Sequence, residues 1–423
     1  MRILLISKMF PPVNNAQSLQ SAKVTQALVH AGFDVKVIAG RRSSMSERTD
    51  SYASIDTCEV RYVPYNEDNS TTPWTSLPSK LWKRIVKEHN RFLWIRQAIG
   101  VATKTIEQFR PHAILTSSMP VDAHQVGLHL KHKFGIPWVA SFSDPWPYQL
   151  CPPPYNAGEI RISPLWDMRL ARMILTKCNA VHVTSKYCIE LFEKGIHVPI
   201  KGKAWSIPHI GSAIDKIGID TGSSVGWLAH IGDLGPERLC KELLGALKEV
   251  GLCIDGTFIG LLCVGTVCVE FENMVKQMGV DNLVQIMGQV PPQRAAEIMR
   301  AAQALLVVEA DMPISPFLPS KFADYAHAKR PILAITPPVS AIRDYLAKYG
   351  GGKAISHNAS EIAAAIRSVF SEKRCFDKDV TLLREEQLSS AFSSDVVGAT
   401  YERMFRSVVE ELTPLPQCPE VFS

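Results

Sequence analysis

The sequence lacks the short signatures of several common enzyme classes. Its 423 residues contain no P-loop, GxGxxG or HExxH pattern, so ATPase, dehydrogenase and zinc-hydrolase functions have no support from motifs. The ten cysteines form no CxxC pair and no Cys/His metal spacing. Several of them stand in apolar runs, where a reduced thiol packs as a small hydrophobic group. This usage predicts a reducing, cytoplasmic compartment.

Long apolar runs and a strong charge imbalance are missing as well. The longest apolar stretch, 256–269, is shorter than the roughly 20 residues that span a bilayer, so we expect no transmembrane helix. The N-terminal segment MRILLISKMFPP has too short an apolar core for a signal peptide. The net charge of +5 is mild, and we expect no nucleic-acid partner.

Two motif matches are set aside because of their context. Residues 222–226 read GSSVG and fit the hydrolase pattern GxSxG, but that pattern needs a strand before the serine and a helix after it. Here a polar segment precedes the match and a strand is predicted to follow. Asp377 and Asp379 have Asp-x-Asp spacing, but no apolar strand precedes them. A solvated turn is the better interpretation, and we predict no metal site.

The segment 305–336 carries the clearest pattern in the chain. Residues 305–309 predict a buried strand, which a loop with three prolines follows. A helix is predicted from Ser320, its expected N-cap, as far as Pro331, and 332–335 predict a second buried strand. A helix that begins at the carboxyl end of a parallel sheet binds anions. Lys321 adds a positive charge suited to a phosphate, and Asp324 a carboxylate suited to a ribose diol.

The residues PSKFADYAHAKRPILAI in this segment resemble the donor-binding segment of retaining glycosyltransferases with the GT-B fold. They are most similar to family four, the group that builds bacterial surface polysaccharides and phosphoinositol mannosides. Read alone, the segment also fits a generic βαβ unit with a solvated Lys321 and Asp324. Further matches extend from Arg2 to Arg406. The resemblance implies an α/β protein with GT-B architecture, in which two Rossmann-like domains face each other across a cleft.

The length of the chain likewise favours two domains. We predict an N-terminal acceptor-side domain at 1–212, a nucleotide-sugar-binding domain at 213–389, a helix at 390–411 that crosses back to the first domain, and a tail at 412–423. The first domain opens with a predicted strand at 2–7, a loop at 8–17 and a helix at 18–31. That loop usually carries a Gly-Gly pair in the family, and Asn14 and Asn15 stand there instead.

The phrase FSDPW at 142–146 resembles a family motif at the end of a strand. The resemblance implies that Asp144 lies near the transferred sugar, although an Asp-Pro pair also commonly begins a turn. The acceptor hydroxyl is expected to enter from the first domain, near Asn15, Ser118 and Asp144.

The second domain opens with a strand that Gly232 follows, and a glycine there lets a phosphate approach the backbone. Arg238 can pair with that phosphate. In the family a cation often stands directly after the glycine, and here Asp233 replaces it. The resemblance implies that Arg238, Lys321 and the helix N-terminus at Ser320 bind the donor diphosphate.

The remaining donor contacts follow from the same resemblance. The turn at Gly288 and Val290 corresponds to the backbone that contacts the nucleobase. Many members place two glutamates eight positions apart, whereas Glu309 and Asp324 are fifteen apart. Asp324 is kept as the ribose ligand. Glu309 is either a substrate contact or a residue at the end of a strand that the backbone satisfies.

The segment 73–104 combines basic and aromatic residues and predicts an amphipathic helix. Such a helix can lie on an anionic membrane surface. The alternative is a helix that packs its aromatic residues inward and leaves its lysines in water. The basic residues are Lys80, Lys83, Arg84, Lys87, Arg91, Arg96 and Lys104, and the apolar ones between them are Trp82, Ile85, Phe92, Trp94 and Ile95.

The sequence thus predicts a retaining, metal-independent glycosyltransferase of the hexosyltransferase type, with Asp144, Arg238 and Lys321 as catalytic residues. A nucleotide-diphosphate sugar is its co-substrate, and no separate cofactor is expected. The acceptor is a saccharide, most readily a lipid-linked one, in cell-surface polysaccharide or lipopolysaccharide synthesis. The expected location is the cytoplasm, with peripheral contact to the inner face of the membrane. Two alternatives stay open: a GT-B-fold nucleotide-sugar epimerase, and a degenerate, non-catalytic partner subunit.

Overall fold

The computed structural model describes residues 1–43, 57–66, 79–155, 164–212, 225–251, 253–254, 257–371 and 386–410. For residues 79–85, 225, 253–254, 257–258 and 371 it describes the backbone alone.

The first half of the described chain forms a parallel sheet with helices on both faces. Its strands are β1 (Arg2–Ser7), β2 (Asp34–Arg42), β3 (Glu59–Tyr65), β4 (Ala113–Ser118), β5 (Trp138–Phe142), β6 (Ala180–Val183) and β7 (Ala204–Ser206). Its helices are α1 (Ala16–His30), α2 (Ser79–Phe109), α3 (Asp122–Phe134), α4 (Pro164–Lys177) and α5 (Lys186–Ile196). The strand order is β3-β2-β1-β4-β5-β6-β7, and all neighbouring strands are parallel. This order contains the 3-2-1-4-5-6 arrangement of a Rossmann fold.

The second half repeats the same arrangement. Its strands are β8 (Val225–Ile231), β9 (Cys253–Ile254), β10 (Thr257–Val264), β11 (Val284–Gly288), β12 (Ala304–Val308), β13 (Ile332–Ile335) and β14 (Gly352–Ile355). Its helices are α6 (Lys241–Val250), α7 (Val269–Met278), α8 (Pro292–Ala301), α9 (Ser320–Ala328), α10 (Ala341–Tyr349) and α11 (Ala359–Ser371). The parallel strands follow the order β11-β10-β8-β12-β13-β14, and β9 pairs with β10 in the antiparallel direction. The predicted α/β class with two Rossmann-like sheets is therefore confirmed.

A last helix, α12 (Ser394–Glu410), returns to the first sheet and packs on α1. The rings of Phe405 and Phe33 lie 5.9 Å apart, and the Tyr401 hydroxyl lies 3.3 Å from His182 Nδ1 on β6. The predicted boundary between residues 212 and 213 falls where a segment outside the described residues begins. The predicted tail at 412–423 also lies outside the described residues. The domain limits therefore stay a prediction.

The central strands are buried on both faces, which explains their continuous apolar sequences. All six residues of β4 are buried, and in β1 five of six are. Leu4 and Ile6 pack against α2, α3 and α4, whereas Ile3 and Leu5 pack against α1 and α12 on the other face. The period of two along a strand thus divides one apolar run between two cores.

Four strands were not predicted: β3, β7, β9 and β14. Three of them, β3, β7 and β14, lie at an end of their sheet's strand order, and β9 pairs only with β10. An edge strand has one unpaired side and is commonly short or polar, so it needs no long apolar run. In β3 three of the seven residues are exposed, and β7 has only three residues. The sequence of residues 205–226 predicts a helix-free linker between the domains, and the first two of these residues belong to β7.

Helix α2 is held against the first domain by internal contacts. Trp94 is buried, and the Arg91 Nε donates to Asp122 Oδ1 at 2.5 Å. Asp122 also accepts from Lys8 Nζ at 2.7 Å. Trp94 and Arg91 therefore do not belong to an outward membrane face, which corrects the prediction for these two residues. Among the described residues, no helix combines the length and the apolar character that crossing a bilayer requires.

Candidate active site

A cavity of about 880 Å³ lies between the two sheets, where loops from the carboxyl ends of their strands meet. Eight of the eleven predicted site residues line it: Asn15, Asp144, Gly232, Arg238, Glu309, Ser320, Lys321 and Asp324. Most of the site residues predicted from the sequence therefore lie at one site, although they come from both halves of the chain.

Ser118, Gly288 and Val290 do not line this cavity. The Ser118 side chain is fully buried and its hydroxyl donates to the Ser141 carbonyl at 3.2 Å. The predicted contact between Ser118 and the acceptor is therefore wrong. The Gly288 carbonyl accepts from the Gly265 N–H at 2.8 Å, and Val290 packs on an apolar cluster of the second domain. These two residues support the neighbouring loops.

The N-terminus of α9 faces the cavity through Ser320 and Lys321. The predicted N-cap is wrong, because Pro319 occupies the cap position and provides no side-chain hydrogen bond to the first turn. Ser320 is instead the first helical residue. A helix start without a side-chain cap leaves backbone N–H groups for a ligand, and the helix dipole favours an anion there.

Lys321 Nζ lies 3.0 Å from Nε2 of His230, a buried residue near the carboxyl end of β8. Burial lowers the pKa of Lys321 to about 7, and the charge of Arg238 contributes in the same direction. Burial also lowers the pKa of His230 well below its usual value, with Lys321 and Arg238 as further causes. His230 is therefore neutral, and Lys321 can change its charge when an anion enters.

Arg238 ends a short 3₁₀ turn, Pro236–Arg238, and reaches into the same cavity. Its Nε is buried and has no hydrogen-bond partner among the described residues. A buried guanidinium N–H without a partner is costly, and a phosphate oxygen would satisfy it. Arg238 thus brings a second cationic side chain to the cavity, beside Lys321.

Glu309, at the end of β12, is only 3% exposed. Its Oε1 accepts from the Ser315 hydroxyl at 2.6 Å, while Oε2 has no partner among the described residues. Burial raises the pKa of Glu309 to about 7, and the Ser315 hydroxyl opposes the rise. The alternative in which the backbone satisfies this side chain is wrong, since the oxygen that accepts a hydrogen bond accepts it from a serine side chain.

Asp324 lies on α9 and is already engaged by the first domain. Its Oδ1 accepts from Lys23 Nζ at 2.9 Å and from the Ser212 N–H at 2.8 Å. Both contacts end on Oδ1, so a ribose hydroxyl would have to use Oδ2.

The first domain contributes Asp144 and Asn15 to the lining of the cavity. Asp144 follows β5. Burial between the domains raises the pKa of its carboxyl, and the charge of Arg238 acts in the opposite direction. The side chain keeps contact with solvent in the open cavity, so this desolvation is partial. Asn15 Oδ1 accepts from the Ser18 N–H at 2.8 Å and caps α1. Asn15 therefore shapes this edge of the cavity through its backbone turn.

The residues that sequence reasoning missed include His230, which contacts Lys321, and the lining residues Lys23, Tyr155 and Phe317. Tyr155 and Phe317 come from opposite halves, and their ring centroids lie 4.6 Å apart across the cleft. His230 could have been found, because it is a polar residue inside an apolar strand just before Gly232. The aromatic pair has no local signal, since it joins two irregular loops.

No group of three or more His, Cys, Asp or Glu side chains suited to a metal ion occurs within the part of the chain that the structure describes. Asp377 and Asp379, the Asp-x-Asp match, lie outside that part. The expected metal independence therefore stays a prediction.

Residues 18–200 match the model of a protein family described as Glycosyl transferase 4-like domain. The match begins within α1 and ends after α5, so it includes β2 to β6 of the first sheet but neither β1 nor β7. No curated protein matches the sequence.

Solved structures share the architecture over nearly the whole chain. Sucrose-phosphate synthase from Thermosynechococcus elongatus is 15% identical, with a TM-score of 0.68 over 97% of this chain and 99% of that one. HepE from Anabaena in complex with UDP is 12% identical, with a TM-score of 0.63 over 96% and 100%. The lipopolysaccharide outer core galactosyltransferase WaaB in its apo form is 12% identical, with a TM-score of 0.61 over 96% and 99%. The predicted GT-B fold is confirmed.

Proposed function

We propose that this chain is a nucleotide-sugar glycosyltransferase of the GT-B type, a hexosyltransferase from the family-four group with the Pro-Ser-Lys motif. The observation that carries the proposal is the convergence of Arg238, Lys321 and the N-terminus of α9 on one interdomain cavity. The family match over 18–200 supports it from the acceptor side.

The donor diphosphate would bind at the end of the cavity that Arg238 and Lys321 line. When the bond from the sugar to the phosphate breaks, negative charge grows on the departing nucleoside diphosphate. Preorganised cations and helix N–H groups stabilise that charge more in the transition state than in the ground state. Their contribution therefore appears in the rate of transfer.

We assign retention of configuration to a same-face displacement. The acceptor oxygen bonds to the anomeric carbon on the side from which the phosphate leaves, and the departing phosphate oxygen takes the acceptor proton. Asp144 then orients the acceptor or the sugar, and the free oxygen of Glu309 accepts a hydrogen bond from a sugar hydroxyl. This route needs neither a strong side-chain base nor a metal ion.

The acceptor would enter beside Asn15 and Asp144, and a saccharide linked to a lipid fits the proposal best. HepE is described in complex with UDP, and WaaB acts in the lipopolysaccharide outer core. Exposed Lys87, Phe92 and Arg96 on α2 would support contact with an anionic membrane from the cytoplasmic side.

The test is to incubate the chain with a panel of UDP-, GDP- and ADP-sugars, with and without lipid-linked saccharides. We expect release of nucleoside diphosphate that depends on the acceptor, together with a product whose anomeric proton coupling matches that of the donor. An isomerised sugar without an acceptor product would indicate the epimerase. Binding and turnover of none of the nucleotides would favour the partner-subunit alternative.

A further inference from the structure

We propose that His230 is a positioning residue whose neutral imidazole fixes the Lys321 amine at the phosphate end of the cavity. This inference rests on the proposed function, since it concerns the site assigned to the donor diphosphate. The observation behind it is a chain of two contacts from the second sheet to the cavity. Leu306 O lies 3.1 Å from His230 Nδ1, and His230 Nε2 lies 3.0 Å from Lys321 Nζ.

The tautomer of His230 follows from its two neighbours. A backbone carbonyl can only accept, so Nδ1 must carry the proton and donate to Leu306. Nε2 of the neutral ring then offers its lone pair, and Lys321 donates to it. A second proton on the ring would bring a positive charge against the lysine, in a position that is only 1% exposed.

A neutral acceptor suits this place better than a carboxylate would. An Asp or Glu at 230 would hold the amine equally well, but it would neutralise the charge that the phosphate needs. The imidazole fixes the direction of the amine and adds no counter-charge. The groups that bear on Lys321 are His230 on β8, Arg238 and Asp233 in the loop after β8, and Cys263 on β10.

Gly232 leaves the space that this arrangement requires. A Cβ added there would lie 3.2 Å from Lys321 Nζ, and the φ angle of +105° is one that residues with side chains rarely adopt. The amine therefore lies against bare backbone between His230 and the cavity. An anion that approaches the Gly232 backbone meets Lys321 at the same point.

Donor binding should then be coupled to protonation of Lys321. The pKa of the free amine is lowered to about 7, mainly by burial, and a bound phosphate favours the ammonium form. Above pH 7 a proton must therefore be taken up on binding. Affinity should fall by about tenfold for each pH unit until the pKa of the bound state is reached.

The experiment compares wild type with His230→Gln, His230→Leu and His124→Leu by calorimetric titration of UDP, GDP and ADP between pH 6 and 9. Glutamine can accept from Lys321 and donate to a carbonyl, whereas leucine can do neither. His124 is equally buried but lies in the first domain, away from the cavity, so it controls for the loss of a core histidine. Thermal melting establishes that each variant is folded.

We expect His230→Leu to weaken binding of the nucleotide that wild type prefers by about 10-fold at pH 6.5, the scale of a lost hydrogen bond to a charged group. The nucleotide affinity of this variant should also no longer fall above pH 7. Without its hydrogen bond to His230, Lys321 moves toward solvent and regains an ordinary pKa. His230→Gln and His124→Leu should keep the wild-type pH profile.

A second measurement follows the Lys321 amine without a nucleotide, by NMR titration of ¹³C-labelled lysine. Lys321 should titrate near pH 7 in wild type and substantially higher in His230→Leu. Unchanged affinity and an unchanged Lys321 titration in a folded His230→Leu would overturn the role of His230 while leaving the proposed function intact. Absence of nucleotide binding by wild type would overturn both.

Discussion

Lys23 and Asp324 join the two halves of the molecule beside the cavity. They lie on α1 and α9, 301 positions apart in the chain, and the lysine Nζ is 2.9 Å from the aspartate Oδ1. Lys23 also donates to the Ile210 carbonyl at 2.9 Å, and Ser212 N–H donates to the same aspartate oxygen. These contacts therefore hold the chain where it leaves the first domain. They end on Asp324, which is the predicted ribose ligand.

Replacing Lys23 with Met should destabilise the protein, because Asp324 loses a charged partner while both side chains are mostly buried, 16% and 23% exposed. The expected loss is roughly 1.5–3 kcal/mol, or roughly 3 °C or more in melting temperature. Lys194→Met is the matched control, since its bond to Glu190 joins side chains 78% and 50% exposed. That variant should change stability by less than about 0.5 kcal/mol. Equal melting temperatures for the two variants would contradict the structural role of Lys23.

The contact between Lys23 and Asp324 also shows where sequence reasoning stops. The strand β12 and the helix α9 could be predicted because the strand, the prolines, the helix start and Lys321 follow one another within twenty residues. The contacts of Lys23 with Asp324 and of His230 with Lys321 join residues that only the folded chain brings together. No periodic pattern in the local sequence predicts these two contacts.

Ser118 illustrates a different limit. The apolar residues at 113–118 predict a strand, β4 spans the same residues, and the cavity lies at the carboxyl ends of the strands. Successive side chains of a strand point to opposite faces, however, and the face that Ser118 takes is decided by the packing of the neighbouring strand. Its hydroxyl is used by the Ser141 carbonyl. Sequence could place the strand end but not the direction of that side chain.

Arg238→Ala and Lys321→Ala should each lower the rate of sugar transfer by about 10²–10³-fold, the cost of removing one preorganised donor from a developing charge. Folding should change little, since both side chains line the cavity. Arg294→Ala, which removes an exposed partner of Glu297 on α8, is the control and should keep full activity. Steady-state kinetics with the preferred donor measure the effect. Near-normal turnover of either cavity variant would rule out the phosphate assignment.

Glu309 should make stability depend on pH in a direction opposite to that of an ordinary surface carboxylate. Its pKa is raised to about 7 from 4.5, so between those values the folded protein holds a proton that the unfolded chain releases. Stability contributed by this group is therefore present below pH 4.5 and is lost as pH rises to 7, by up to about 1.4 kcal/mol per pH unit. Glu309→Gln, which cannot ionise, should gain stability relative to wild type between pH 5 and 7. If the melting temperatures of wild type and Glu309→Gln differ by the same amount at every pH in this range, a raised pKa of Glu309 is excluded.

Transfer should persist in excess EDTA, because Arg238, Lys321 and the N-terminus of α9 supply positive charge at the phosphate end of the cavity. The measurement is nucleoside diphosphate release before and after chelation, followed by addition of Mg²⁺ or Mn²⁺. Loss of activity on chelation with recovery on addition of metal would return Asp377 and Asp379 to consideration as ligands.

Binding of α2 to an anionic membrane is the prediction that the fold constrains most. Basic residues near such a surface contribute about 1 kcal/mol each, but Arg91 is held by Asp122 inside the first domain, so it is not counted. The exposed residues of α2 that remain candidates are Lys87, Phe92, Leu93 and Arg96, while Lys80, Lys83 and Arg84 stay candidates from the sequence alone. Changing Lys80, Lys83, Arg84 and Lys87 together to Gln should release the protein from vesicles that contain phosphatidylserine.

The matched control changes the exposed lysines Lys177, Lys194, Lys201 and Lys276 to Gln. Both variants lose four positive charges, from +5 to +1, so a difference between them reports position and not net charge. Sedimentation with vesicles should show wild type and the control bound at 0.1 M salt and released toward 1 M, as the Debye length falls from about 10 Å to about 3 Å. Release of nucleoside diphosphate into solution should be the same for all three proteins. Equal sedimentation of the two variants, or none of wild type, would leave α2 as a packed surface helix.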